Sequence, residues 1–176
     1  MTRLAALAEA IDRFNRSVGD AICWLALLLV LTQFAVVLLR YLFGTGSVFL
    51  QESLLYQHGL ILMLGAGATL ARDGHVRVDL FHRRLGARGR ALVEVVGTLL
   101  FLLPVLAAIA FHSWGYVAGA WATLEGSTEM AGIPARFLLK STILAFCAVL
   151  ALQGIAVIAR ALDTLRTVRN ERRGAR

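Results

Sequence analysis

The sequence predicts an all-α integral membrane protein, a bundle of four transmembrane helices with an N-terminal amphipathic interfacial helix. Three observations predict it. Apolar runs at about residues 20–43, 53–71, 91–121 and 137–159 each supply the roughly 20 residues a helix needs to cross the hydrocarbon core. Of 176 residues, 59% are hydrophobic and only 16% are charged, with a mean hydropathy of +0.73, which leaves little chain for a soluble domain. No strand-like alternation with turn signals is present, so the backbone satisfies its own hydrogen bonds in helices rather than in a barrel.

The chain reads as one membrane domain over 1–176. An amphipathic helix occupies 1–18, spans cover about 20–43, 51–71, 91–118 and 134–159, and a basic cytoplasmic tail covers 160–176. In the first segment Leu4, Leu7, Ala8, Ile11, Phe14 and Val18 recur at helical spacing, with Arg3, Glu9, Asp12, Arg13 and Arg16 on other faces. Such a helix lies on the cytoplasmic membrane surface or packs against a partner subunit.

The first span carries Trp24 near one end and Tyr41 near the other, where amphipathic rings prefer the headgroup zone. It begins about 20 residues into the chain and ends in Arg40-Tyr41-Leu42-Phe43-Gly44 without a small-x-small cleavage site, so it is retained rather than removed as a signal. The short Gly44-Thr45-Gly46-Ser47 loop makes the first two helices antiparallel neighbours. Gly65 and Gly67 near the inner end of the second span offer close helix approach.

The third run exceeds one crossing, and Pro104 inside it removes a backbone donor and favours a kink. Its outer end holds the aromatic residues Trp114, Tyr116 and Trp121 and a Gly115/Gly119 small-residue pair. Pro134 suits the first turn of the fourth helix, where Ser141, Ala145 and Ala148 form a small stripe for packing.

The formal net charge of +7 follows topology. All but three of the 18 Lys and Arg residues precede the first span, lie between the second and third, or follow the fourth; the exceptions are Arg40, Arg136 and Lys140. By the positive-inside rule both termini and the middle loop are cytoplasmic. The basic tail is short and lacks interleaved aromatics, which argues against nucleic acid and for attraction to anionic lipid. Cys23 and Cys147 stand alone within apolar runs, as buried small hydrophobes.

Polar groups within spans are costly and need a partner, water or the interface. Arg40 and Glu52 flank the short first turn and are expected either to form an interfacial ion pair that fixes the hairpin or to reach water separately. Lys140, one turn after Arg136, either snorkels outward or bonds Glu125, Glu129 or a carboxylate of another subunit. Glu125 and Glu129, in the loop from Ala122 to Gly132, are candidate contacts for a protein partner, against plain exposure. In the inner loop, Arg77, Val78, Asp79, Phe81, Arg83 and Arg84 form a candidate interfacial anchor: apolar side chains enter the interface while arginines face headgroups.

Asp73, His75, Asp79 and His82 carry metal-donor atoms at irregular spacing, a weak signal, and no metal site is assigned. No catalytic constellation of nucleophile and base, paired carboxylates or phosphate-cradling glycine loop is present, so no enzyme and no resident cofactor are expected. A different class of reading is a four-helix membrane haem or electron-transfer protein, with His58 and His112 as ligands on facing helices.

Several stretches carry a more specific signal. Arg40-Tyr41-Leu42-Phe43-Gly44, Glu52, Gly65-Ala66-Gly67-Ala68 leading into Arg72-Asp73-Gly74-His75-Val76-Arg77-Val78-Asp79, Gly132-Ile133-Pro134 and Leu152-Gln153-Gly154 together resemble the small permease subunit of TRAP transporters, the DctQ family. Many members have a Trp and a doubled acid where this chain has Phe49-Leu50-Gln51-Glu52-Ser53. The resemblance implies a bacterial inner-membrane subunit that joins a large permease and works with a periplasmic solute-binding protein. It further implies ion-coupled uptake of organic acids, commonly driven by sodium. The large subunit would carry substrate and ions, and the small one would be the scaffold against which it moves. The lack of a polar, discontinuous mid-membrane helix agrees with that division.

Overall fold

The computed structural model describes residues 3–72 and 85–174. Four helices long and apolar enough to cross a membrane account for nearly all of them, and no strand occurs among the described residues. Helix α1 is Arg3–Phe43, α2 is Val48–Ala71, α3 is Ala87–Ala122 and α4 is Arg136–Gly174. Successive helices alternate in direction.

The first turn is closed by local chemistry. Gly44 adopts φ +64, the left-handed conformation that ends a helix without a Cβ penalty, and the Thr45 amide donates to the Leu39 carbonyl at 3.1 Å. Ser47 then caps α2, its hydroxyl accepting from the Leu50 amide at 3.3 Å.

Two boundaries differ from the sequence reading. α1 runs without interruption through Val18 and Gly19, so the N-terminal segment and the first span form one continuous helix. α4 likewise continues through the expected tail as far as Gly174. At about 1.5 Å per residue the 41 residues of α1 and 39 of α4 are each roughly 60 Å long, about twice the hydrocarbon thickness. The physical reason is mutual cover: Ala8 buries itself against Ala156 and Ala159, with Leu4 and Ile11 alongside. Small side chains let the two extensions approach closely, so each satisfies the apolar face of the other.

Helix α4 is the hub, since it packs on α1, α2 and α3, whereas α1 and α2 pack on each other and α3 depends chiefly on α4. Gly67 marks the tightest α2/α4 approach, where an added Cβ would collide with Val149. At Gly19 a Cβ would stand 2.5 Å from that of Ala68, so α1 and α2 touch nearly backbone to backbone. A second cluster joins α3 to α4 through Leu106, Cys147 and Leu150, with Ala66 and Leu70 of α2 at its edge.

Pro104 does not break α3. The strain appears one turn earlier as a π-helical turn, Thr98–Leu102, where the Leu103 amide donates to the Thr98 carbonyl. Proline lacks an N–H and crowds the preceding turn, and widening that turn accommodates the ring while the helix continues. The π-turn packs where α4 has Gly154, whose missing Cβ would lie 3.1 Å from Thr98 Cγ2.

The Gly115/Gly119 pair is not a packing seam among the described residues, and the Ser141/Ala145/Ala148 stripe is one only in part, its first two residues being half-buried. Both glycines of the first have open space at the Cβ position, and Ala148 is exposed while Thr142, Cys147, Val149 and Leu150 are buried. Cys23 is exposed and Cys147 buried.

These approaches predict contrasting glycine substitutions. Gly67→Ala should destabilise the folded chain by about 1–3 kcal/mol, the usual range for overpacking, whereas Gly65→Ala, with open space, should change stability by less than about 0.5 kcal/mol. Reversible unfolding in detergent or bilayer compares the two directly.

Candidate functional site

Polar side chains gather at the two ends of the bundle. At the end that holds the termini, Gln153 is the lone amide within an apolar stretch of α4 and is completely buried. In lipid such a group needs hydrogen-bond partners, and α1 supplies them. Asn15, also completely buried, donates from Nδ2 to Gln153 Oε1 at 2.6 Å. Gln153 Nε2 donates to Asp12 Oδ1 at 2.7 Å, and Arg160 NH1 pairs with Asp12 Oδ2.

The order of this chain is forced by its ends. Arginine only donates and a carboxylate only accepts, so Gln153 must turn its NH₂ to Asp12 and its oxygen to Asn15. Among the described residues no donor reaches Asn15 Oδ1, which lies against the α2 backbone, 3.2 Å from where a Gly67 Cβ would be. One turn further along, Arg72 at the end of α2 bonds Asp20 of α1 at 2.5 Å. Higher in the membrane, Gln57 Nε2 donates to Thr32 Oγ1 at 3.3 Å and ties α2 to α1 again.

At the opposite end the connection from α3 to α4 is folded onto α2. Helix α3 closes with the Glu125 amide donating to the Ala120 carbonyl at 2.9 Å and the Leu124 amide to Trp121 at 3.2 Å, the Schellman pattern. Leu124 holds the left-handed position at φ +46, where glycine is usual. Glu52 then reaches across from α2: Ser127 donates its hydroxyl to Oε1, and the Ile133 amide donates to Oε2 at 2.6 Å.

Arg40 and Glu52 are not paired. The Glu52 carboxylate is engaged by this loop, while Arg40 is exposed at the end of α1. The backbone amide presented by the Gly132-Ile133-Pro134 turn is a fixed donor, which competes well against a flexible arginine.

Lys140 bonds Glu125 at 2.5 Å and lies 3.9 Å from the centroid of the Tyr116 ring, so α3, loop and α4 meet at one ammonium. Trp121 donates to Ser141 at 2.8 Å and packs edge-on against Phe137 at 4.7 Å. Glu129 is exposed, with its amide bonded to Ser127 Oγ at 3.0 Å.

The structure gives the haem reading no support. His58 and His112 are both exposed, and His112 Nδ1 lies 2.8 Å from the carbonyl of Ala108 on its own helix. Among the described residues no group of three or more His, Cys, Asp or Glu could hold a metal ion. The candidate anchor Arg77, Val78, Asp79, Phe81, Arg83 and Arg84, and the donors Asp73, His75, Asp79 and His82, lie outside the described residues.

The sequence reading missed the roles of Asn15, Asp12 and Gln153. One signal was present, an uncharged amide isolated in an apolar run, but its partners lie 138 and 141 positions away, and no local pattern names them.

Two predictions follow from these contacts. Glu52→Ala should free the Ile133 amide and raise its hydrogen-exchange rate by about tenfold, the equivalent of one charge-assisted bond, while Arg40→Ala should leave that rate unchanged. Gln153→Leu strands the buried Asn15 amide and removes one donor from Asp12, and should cost about 1–3 kcal/mol in an unfolding measurement.

Comparison with known proteins agrees with this architecture. No curated protein and no solved structure gives a significant match. Residues 11–164 match the family described as tripartite ATP-independent periplasmic transporters, DctQ component. That interval takes in most of all four helices and both polar clusters, and the chain belongs to the DctQ family of small TRAP-transporter subunits.

Proposed function

We propose that this chain is the static partner of a large permease, holding it at fixed depth during ion-coupled uptake of organic acids delivered by a periplasmic binding protein. The observation that carries the reading is the combination of family membership with the absence, among the described residues, of a helix interrupted by polar unwound backbone. The irregular stretch of α3, Thr98–Leu102, reads TLLFL and offers no ion or substrate ligands of the kind that mark transport sites.

Rigidity suits this role. The Asp12, Asn15, Gln153 and Arg160 chain fixes α1 against α4 at one end, and Glu52 with its loop fixes α2 at the other. Between them the outer faces of α1 and α3 are bare, with Trp24, Phe34, Leu100, Phe101 and Phe111 all more than half exposed. Such faces meet lipid or a partner helix, and the large subunit is the partner we assign.

The basic end faces the cytoplasm of a bacterial inner membrane by the positive-inside rule. Glu129 and its loop then face the periplasm and the binding protein, and the sequence of the Arg77 to Arg84 segment, outside the described residues, supports its assignment as a depth anchor.

Tagging the chain, solubilising membranes gently and identifying what co-purifies tests the assignment. The expected result is a large multi-span permease and no haem band in the visible spectrum. A solitary protein with a redox-active haem band would overturn it. In reconstituted vesicles, omitting this subunit should abolish uptake, and joint Arg83→Glu and Arg84→Glu substitution should lower it severalfold, by about 1 kcal/mol of interfacial attraction per arginine. Glu129→Lys should weaken docking of the binding protein without altering assembly of the membrane subunits.

A further inference from the structure

Between α1 and α2, in the half of the membrane nearer the termini, an apolar groove of about 460 Å³ opens to the lipid side, lined by Gly19, Ile22, Ile61, Leu62 and Gly65, with Arg72 at its mouth. Its depth has two causes. Gly19 and Ala68 bring the helices nearly into backbone contact, which makes the floor. Gly65 presents no side chain, and nothing lies within 4 Å of its Cβ position, so the wall is open there.

A recess facing hydrocarbon does not stay empty, because its lining atoms would lose dispersion contacts that an alkyl chain supplies. The mouth selects among lipids. Arg72 and Asp20 are paired at 2.5 Å, yet their side chains remain 46% and 72% exposed. Among the described residues Arg72 bonds Asp20 through NH2 alone, and no donor reaches Asp20 Oδ2, which can accept. A cation and an anion side by side, at the end of α2 where the chain leaves the membrane, complement a headgroup that carries both a phosphate and an ammonium.

We infer that the α1/α2 groove is a seat for one phospholipid with a primary-amine headgroup. One acyl chain lies along Ile61, Leu62 and Gly65, the phosphate meets Arg72, and the ammonium meets Asp20. The amine matters as much as the phosphate: an anionic headgroup lacking it would leave Asp20 facing like charge. The seat requires that α1 and α2 cross a bilayer and that the large subunit leaves this groove uncovered.

The test uses the chain as it purifies from membranes with its partners, exposed to phosphatidylethanolamine that carries a photoactivatable acyl chain. Adducts should concentrate on the peptide containing Ile61, Leu62 and Gly65. They should fall by at least about tenfold in Gly65→Leu, which fills the groove without a clash, and in Arg72→Gln, which removes a charge-assisted contact. Gly115→Leu, placed in open space on α3, should leave them unchanged. In native mass spectrometry Asp20→Asn should lose the preference for phosphatidylethanolamine over phosphatidylglycerol while still retaining lipid. Adducts spread evenly over the bare faces of α1 and α3, equal labelling of Gly65→Leu and wild type, or a groove found cross-linked to a partner polypeptide would overturn the inference.

Discussion

A buried amide in a membrane helix imposes its partners on the rest of the chain. Gln153 sits in α4 where every neighbour in sequence is apolar, and a hydrogen-bonding group stranded in hydrocarbon costs several kcal/mol. Asn15 and Asp12 meet that demand from α1, and Arg160 neutralises Asp12. Each interhelical bond in a membrane contributes modestly, about 0.6 to 1.7 kcal/mol where measured. The constraint is stronger than the bonds are, because sliding α1 against α4 by one turn would leave the two completely buried amides, Asn15 and Gln153, unsatisfied. That register in turn places Ala8 on Ala156 and Gly19 beside Ala68, so the backbone approaches that build the bundle depend on it.

The opposite end is organised on a different principle. Glu52 binds a backbone amide and a hydroxyl of the loop, and Lys140 binds the carboxylate that the α3 cap has brought round. These contacts link three elements through short, partly exposed charged bonds, while the end that holds the termini uses a largely buried chain through Asn15, Gln153, Asp12 and Arg160. The bundle is therefore fixed at both ends, with a largely apolar middle crossed by the Gln57–Thr32 bond. Among the described residues the one irregular stretch of α3, Thr98–Leu102, is apolar but for Thr98, and the Gln57–Thr32 bond is a lone polar tie between α1 and α2 in that middle.

Burial is unevenly shared. Within its most apolar 18 residues α4 is 44% buried and α1 not at all, although both are similarly hydrophobic. In water that would be a liability, but in lipid a bare apolar helix face is at home, and the difference only marks which helix is central. It also explains why small residues do not by themselves reveal packing. Gly67 is pressed against Val149, whereas Gly65, two positions away, opens onto a groove, and Gly115 and Gly119 have open space at their Cβ positions.

Much of the molecule was legible in the sequence, and for a physical reason. Spanning about 30 Å of hydrocarbon demands long apolar runs, so the number of helices, their approximate limits and the short first turn follow from composition and length alone. The resemblance carried by the Arg72 and Gly132 stretches pointed to the family that residues 11–164 match. What only the tertiary structure decided was which polar group meets which. Glu52 prefers the rigid Ile133 amide to Arg40, and Asn15 finds Gln153 at a separation of 138 residues. The continuity of α1 and α4 beyond the membrane was decided there too, since neither extension has a reason to stay helical and aligned until the other covers its small-residue face. Helix existence is a local matter between a segment and its solvent, while partner choice depends on register, and register is a property of all the helices together.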